Sequence, residues 1–305
     1  MSCTIRIFCF AITFLTPLLH GCTLSDMKYK SSASSGTVGA NTASPPSGGI
    51  TRDSDDVVTS FELEDPTLVA DQPAIFHLII YNRSVVPVKV DLGQNLKGNF
   101  SFSLHYPDGQ MKTLPRVAAP EFSVDGLILI ESGGSYSQKI LLNEWTQLDQ
   151  IGKYRIEGSI IKPLVGSDDR TVLDGLRFET GFTVQSRDEQ KLENAAEKLL
   201  TQLINSVSYS DAAISARALT YFKNGIATEQ LKKALLARKM IEPLIIDSLR
   251  LQGDDYALDV FEGVRNQMPD PETAAQITSA IQWISRKGGK EDTRRRATKM
   301  LRARS

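Results

Sequence analysis

"LRFETGFTVQSRDEQKLENAAEKLLTQLI", Leu176 to Ile204, changes its hydrophobic period half-way along. Leu176, Phe178, Phe182 and Val184 are separated by even numbers of residues and share one face of an extended segment. From Gln185 the spacing differs. Leu192, Ala195, Ala196, Leu199, Leu200, Leu203 and Ile204 follow the i, i+3, i+4, i+7 rule of an amphipathic helix. One segment cannot satisfy both periods, so a β-rich part ends here and an α-rich part begins. Ser186 and Glu189 have capping-box spacing, which predicts the helix start.

Upstream, the period of two extends from Val57 to Val184. In "AIFHLIIYN", Phe76, Leu78 and Ile80 alternate with Ile75, His77 and Ile79, and Phe100, Phe102, Leu104 and Tyr106 share a face of the next clear strand. Turn signals punctuate the region at Asp65-Pro66, Pro107-Asp108-Gly109, Ser132-Gly133-Gly134 and Ile151-Gly152. Seven or eight short strands between turns predict an antiparallel β-sandwich. The stretch "LDQIGKYRIEG", Leu148 to Gly158, resembles the strand-F corner of immunoglobulin-like domains, where a Leu precedes a Gly-x-Tyr that enters the strand. The resemblance implies that Tyr154 is a structural corner tyrosine whose hydroxyl reaches back to backbone near Leu148. Ile156 stands where a true immunoglobulin domain has its second cysteine, so no antibody-type disulfide is expected. Trp145 reads as a core residue.

Downstream, several helices follow. Gly225, Gly253 and Gly288-Gly289 are expected to end the second, fourth and sixth of them. Asp254 is expected to cap the fifth, and Asp270-Pro271 to open the sixth. Helices beginning near Ala212, Ile241 and Ala274 recur about every 30 residues, which suggests stacked α-hairpins. "SDAAISARALTYF", Ser210 to Phe222, resembles the second half of a HEAT-type repeat through Asp211, Arg217-Ala218 and the aromatic edge that follows. The other hairpins keep the apolar spacing without the Asp and Arg, so an irregular helical bundle is the competing architecture.

The N-terminal region fixes an expected address. Arg6 and the amine precede the apolar run Ile7 to Leu19, which at 13 residues is short for a bilayer span and suits a signal-peptide core. Leu19, His20, Gly21 and Cys22 then resemble the lipobox of bacterial lipoproteins. That resemblance implies cleavage before Cys22 and lipid on its sulfur and amine. An ordinary secretory peptide cleaved near Gly21 is the alternative. Two or more acyl chains hold a protein stably where one does not. Thr23 is not the aspartate associated with inner-membrane retention, which points to an outer membrane where the cell has one. Of the three cysteines, Cys3 and Cys9 would leave with the signal and Cys22 would carry lipid, leaving no thiol for a disulfide, a nucleophile or a metal. The expected organisation is a signal peptide over 1–21, a Ser/Gly/Thr-rich tether over 22–56, an immunoglobulin-like β-sandwich over 57–186 and a helical-repeat domain over 187–305. A coil of the tether's length spans roughly 30 Å.

Little in the sequence points to catalysis. No HExxH, G-x-S-x-G or phosphate-cradling glycine loop occurs, and His77 and His105 sit opposite apolar strand residues as exposed sheet positions would. Asp168, Asp169 and Asp174 lack the alternating spacing of a calcium loop and read as a solvated turn. No catalytic residue, cofactor or metal ligand is therefore assigned, and an envelope enzyme is the remote reading. The expected function is a non-catalytic, membrane-anchored protein-binding or scaffolding module in the cell envelope. Cell-wall glycan binding through the sandwich is the alternative, disfavoured because most strand aromatics fall on the core face.

Charge adds one candidate surface. Residues 57–186 carry 11 basic and 16 acidic side chains, whereas 187–305 carry 20 and 16. The excess is terminal: nine Arg and Lys from Arg286 to Arg304 face only Glu291 and Asp292. Within the last helix Ala297, Met300 and Leu301 form an apolar stripe, and the basic set Arg294, Arg295, Arg296, Lys299 and Arg302 is a candidate contact for an anionic surface or an acidic envelope partner. A docked end cap with a solvated basic face is the plainer alternative. Nucleic acid is not expected in an extracytoplasmic compartment.

Overall fold

A computed structural model describes residues 50–52, 56–92, 99–115, 127–166, 171–173, 175–237, 241–267 and 270–303. Thirteen strands come first: β1 (Ile50–Arg52), β2 (Val57–Leu63), β3 (Thr67–Val69), β4 (Ile75–Asn82), β5 (Val88–Asp91), β6 (Phe100–His105), β7 (Met111–Thr113), β8 (Leu127–Ile130), β9 (Ser135–Leu141), β10 (Gly152–Ile160), β11 (Leu164–Gly166), β12 (Thr171–Leu173) and β13 (Leu176–Gln185). Seven helices follow: α1 (Glu189–Asn205), α2 (Tyr209–Leu219), α3 (Thr228–Ala237), α4 (Glu242–Gln252), α5 (Asp255–Val264), α6 (Pro271–Lys287) and α7 (Glu291–Arg302). The change from strand to helix falls between Gln185 and Glu189, where the hydrophobic period changes.

The strands form three sheets, ordered β1-β2-β4-β9, β3-β13-β10-β6-β7 and β12-β11-β5-β8. Pairing is antiparallel except for β3, which lies parallel to β13. The count exceeds the seven or eight strands that the alternation predicts. Five of them (β1, β3, β7, β11 and β12) have three residues each, too few for a period of two to show. Phe61 and Phe76 of the first sheet meet Phe178 and Phe182 of the second, with Phe61 and Phe178 centred 4.6 Å apart. Val88, Val90, Ile130 and Leu164 of the third sheet complete the same core. Trp145 packs edge-on against Phe102 at 5.1 Å.

Helix boundaries follow local chemistry. The N-cap of α1 is Asp188, whose carboxylate accepts from the Lys191 N–H at 3.1 Å, and not Ser186, two residues earlier. Asp254 and Asp270 cap α5 and α6 in the same way, and Pro271 takes the first turn of α6, where no N–H is needed. Gly253 ends α4 at φ 59°, in the left-handed region that a glycine adopts without strain. Gly225 does not end α2. That helix stops at Leu219, where the Thr220 hydroxyl donates to the Arg217 carbonyl at 2.7 Å, and Gly225 turns the chain before α3.

Each helix touches the next but one. α1 packs on α3, α3 on α5 and α5 on α7, while α2 packs on α4 and α4 on α6. The shared apolar core runs from Leu192 to Ala297 and takes in three residues of the β part: Val69, Ile75 and Leu141. Ile75 and Leu141 are cross-strand partners on β4 and β9, on the face opposite Phe76. The helical part therefore covers the outer side of the first sheet at that end.

Candidate functional site

The terminal helix α7 divides its basic residues by the face on which they fall. Thr293 and Ala297 are buried, and Met300 and Leu301 pack against the helical core. A period of 3.6 then directs Arg296 toward α5, where its guanidinium donates to Asp259 at 2.6 Å and Glu262 at 2.8 Å. Burial there opposes the charge, and the hydrogen bonds to the two carboxylates outweigh it, holding the Arg296 pKa above the ordinary arginine range. Arg294 donates to the carbonyls of Gly288 at 2.7 Å and Gly289 at 3.2 Å, two groups at the C-terminal end of α6. Arg295 is 73% exposed and pairs with Glu291 one turn earlier. Lys299 and Arg302 are exposed as well.

The five candidates thus do not act as one surface. Arg296 ties α7 to α5, while Arg294, which also closes the end of α6, lines an open groove with Arg295, Lys299, Arg302 and Glu291. Replacing Arg296 alters the packing of α7 as well as its charge. Arg295 and Lys299 are the positions that alter charge with the least structural consequence, Arg295 losing only an exposed pair with Glu291.

The corner tyrosine lies near the start of β10, opposite Phe182 of β13. The Tyr154 hydroxyl donates to the Gln150 carbonyl at 2.9 Å and accepts from the Gln150 N–H at 3.0 Å. Burial raises its pKa, against the lowering effect of the Gln150 hydrogen bond. Its ring stacks on Phe182 at 5.2 Å, which fixes the loop before β10 onto the core.

Both histidines are half-buried on faces opposite the aromatic core. His105 Nε2 lies 3.1 Å from a Glu157 carboxylate oxygen, and Arg155 bridges Glu157 and Glu179 beside it. This is a cross-strand row of charges, with Ser103 opposite Glu157 and Ser101 opposite Ser159 on the same face of the sheet. Among the described residues, no group of three or more His, Cys, Asp or Glu is placed to hold a metal. Cys22, Asp168, Asp169 and Asp174 lie outside the described residues.

One cluster was not legible as a site in the sequence. Arg217 of α2 reaches across to Glu144, in the 3₁₀ turn after β9, at 2.7 Å, and the Glu144 side chain is only 6% exposed. Asp71 receives Arg187, and Lys223 at 3.5 Å, along the same junction. The signal for Arg217 was its place in the repeat-like motif, which says nothing of a partner 73 residues away.

No known protein family matches the chain, and no curated protein does. Solved structures give only distant likenesses. The CARDB domain of a Pyrococcus furiosus protein, solved in complex with di-metal ions, is 11% identical at a TM-score of 0.24, over 45% of this chain and 99% of that one. A PapD-like domain of human CEP192 is 16% identical at a TM-score of 0.24, over 50% and 96%. The sporulation control protein Spo0M of Bacillus subtilis is 10% identical at 0.25, over 48% and 56%.

Proposed function

We propose that this protein is a bacterial lipoprotein held outside the cytoplasm through Cys22, at the periplasmic or surface face of a membrane, where it acts as a non-catalytic protein-binding or scaffolding module. The observation that carries the reading is the sequence Leu19-His20-Gly21-Cys22 directly after a short apolar run. The tether, expected over 22–56 but bounded by β1 where Ile50 joins the first sheet, would let the folded part stand away from the bilayer. In this reading the β part is an immunoglobulin-like sandwich, supported by the Tyr154 corner. The helical part is a set of stacked hairpins, supported by the contact of each helix with the next but one. Such surfaces bind partners without catalytic groups, and an envelope protein is the expected partner. The burial of Phe61, Phe76, Phe100, Phe102 and Phe178 removes these rings as glycan platforms.

Cell fractionation tests the anchor. Wild-type protein is expected in the membrane fraction as the processed form, and Cys22→Ser either in the soluble fraction after cleavage elsewhere or at the membrane only as the uncleaved precursor. A Cys22→Ser protein that stays membrane-bound and fully processed sinks the proposal.

The groove of Arg295, Lys299 and Arg302 is proposed to meet anionic headgroups, each basic residue contributing about 1 kcal/mol near such a surface. The soluble variant should bind anionic vesicles at low salt and release at high salt, because the Debye length shortens. Arg295→Ala with Lys299→Ala should weaken binding without lowering the unfolding midpoint. Binding that is indifferent to salt and to both substitutions leaves α7 as an end cap.

A further inference from the structure

A cleft of about 260 Å³ opens between α1 and the segment from Glu64 to Ile75, which includes β3 and the start of β4. Its apolar wall comes from Leu68, Ile75, Leu199 and Phe222. Glu64 and Gln202 line it as well, joined by a hydrogen bond from Gln202 Nε2 to Glu64 Oε1 at 3.0 Å, and so do Lys191 and Lys198 of α1. The other carboxylate oxygen and the amide oxygen are placed differently. Glu64 Oε2 and Gln202 Oε1 are buried, and among the described residues neither accepts a hydrogen bond. The nearest cation to this carboxylate, Lys139 Nζ, approaches Oε1 and not Oε2, at 3.7 Å.

Buried acceptors without donors are uncommon because each carries an uncompensated loss of hydration. Here the two belong to neighbouring side chains that line one cleft, together with the apolar wall of Leu68, Ile75, Leu199 and Phe222. An apolar body suits that wall, and N–H donors suit the two oxygens. A positive charge suits them further, since a carboxylate forms its stronger hydrogen bonds with charged donors. An anion is disfavoured next to Glu64. Lys198 stands exposed at the rim, within reach of solvent screening.

We infer that this cleft between the β part and α1 is a binding site for a small organic ammonium ion with an apolar body, held by Glu64 and Gln202. Because the walls come from both parts of the molecule, the ligand would bind only the assembled fold and raise its unfolding midpoint.

Titration calorimetry on the purified full chain tests this with two probes of the same body and opposite charge, phenethylamine and 3-phenylpropionate. Phenethylamine should bind saturably and raise the thermal midpoint, and 3-phenylpropionate should not. Glu64→Gln, which keeps the shape and removes the charge, should weaken phenethylamine binding about tenfold or more, and Gln202→Leu should weaken it as well. Lys198→Met should leave binding unchanged or tighter. Unliganded midpoints of the variants near that of the parent certify that each is folded. The assignment is overturned if phenethylamine fails to saturate at millimolar concentration, or if 3-phenylpropionate binds equally well. Binding that survives Glu64→Gln, or that Lys198→Met weakens, overturns it too.

Discussion

Gly158→Ala should destabilise this protein by about 2 kcal/mol, a large effect for the addition of one methyl group. Gly158 is buried in β10, with Phe102 of β6 and Phe178 of β13 as its cross-strand partners. The Phe178 ring folds over the glycine, so that a Cβ there would meet ring carbons at 2.1 and 2.6 Å. The ring cannot step aside at little cost. It is 2% exposed, and Phe61, Phe100 and Phe102 hold it from the other directions. Phe178→Ala alone should cost about 3–5 kcal/mol, as a buried aromatic truncation does. The informative measurement is the double variant. With the ring gone, Gly158→Ala has room, and alanine suits a strand interior better than glycine by roughly half to one kcal/mol. Its effect should therefore change sign. Urea unfolding of the four proteins gives the coupling, and simple additivity would show that the ring does not occupy the glycine's space.

The same pair shows what the sequence could and could not reveal. Alternation assigned Phe178 to the core, since Leu176, Phe178, Phe182 and Val184 have period two and all are buried. Nothing local told that Gly158 lies beside it, because strand register is a long-range property. The three-residue strands were illegible for a related reason: they are held by neighbours and carry no pattern of their own. The helix caps at Asp254 and Asp270 were legible, since a cap is a contact within one turn.

Charge was the least legible feature of the candidate site. A run such as Arg294-Arg295-Arg296 reads as one basic patch, yet a helix sends consecutive residues about 100° apart. One reaches the end of α6, one faces solvent, and one enters the seam with α5. Which neighbour carries Asp259 and Glu262 depends on how the helices pack. A net charge of the terminal segment is thus a sound inference from composition, and its availability to a partner is not.

Ile75 hinted at the junction of the two parts. In "AIFHLIIYN" both strand faces carry apolar residues, which a sheet with one face in water does not need. The outer pair Ile75–Leu141 is covered by the helical part, and Arg217–Glu144 lies beside it. This pair should dominate the polar energetics of the junction. Arg217 is 25% exposed and Glu144 6%, so bulk water screens their attraction weakly. Removing the arginine leaves a buried carboxylate short of its main cation, and Arg217→Met should cost about 2–3 kcal/mol. Glu144→Gln, which still accepts a hydrogen bond, should cost less. The double variant should lose little beyond Arg217→Met alone, since the charge that made the single change expensive is gone. Chemical unfolding followed by two probes, Trp145 fluorescence in a Trp283→Phe background and helical circular dichroism, adds the decisive reading. If the bridge joins the two parts, Arg217→Met should separate transitions that coincide in the parent, with the helical signal lost first. Equal shifts of coincident transitions would mean that the apolar contacts of Val69, Ile75 and Leu141 suffice to keep the parts together. A loss confined to α2, with additive single effects, would reduce the bridge to a local contact.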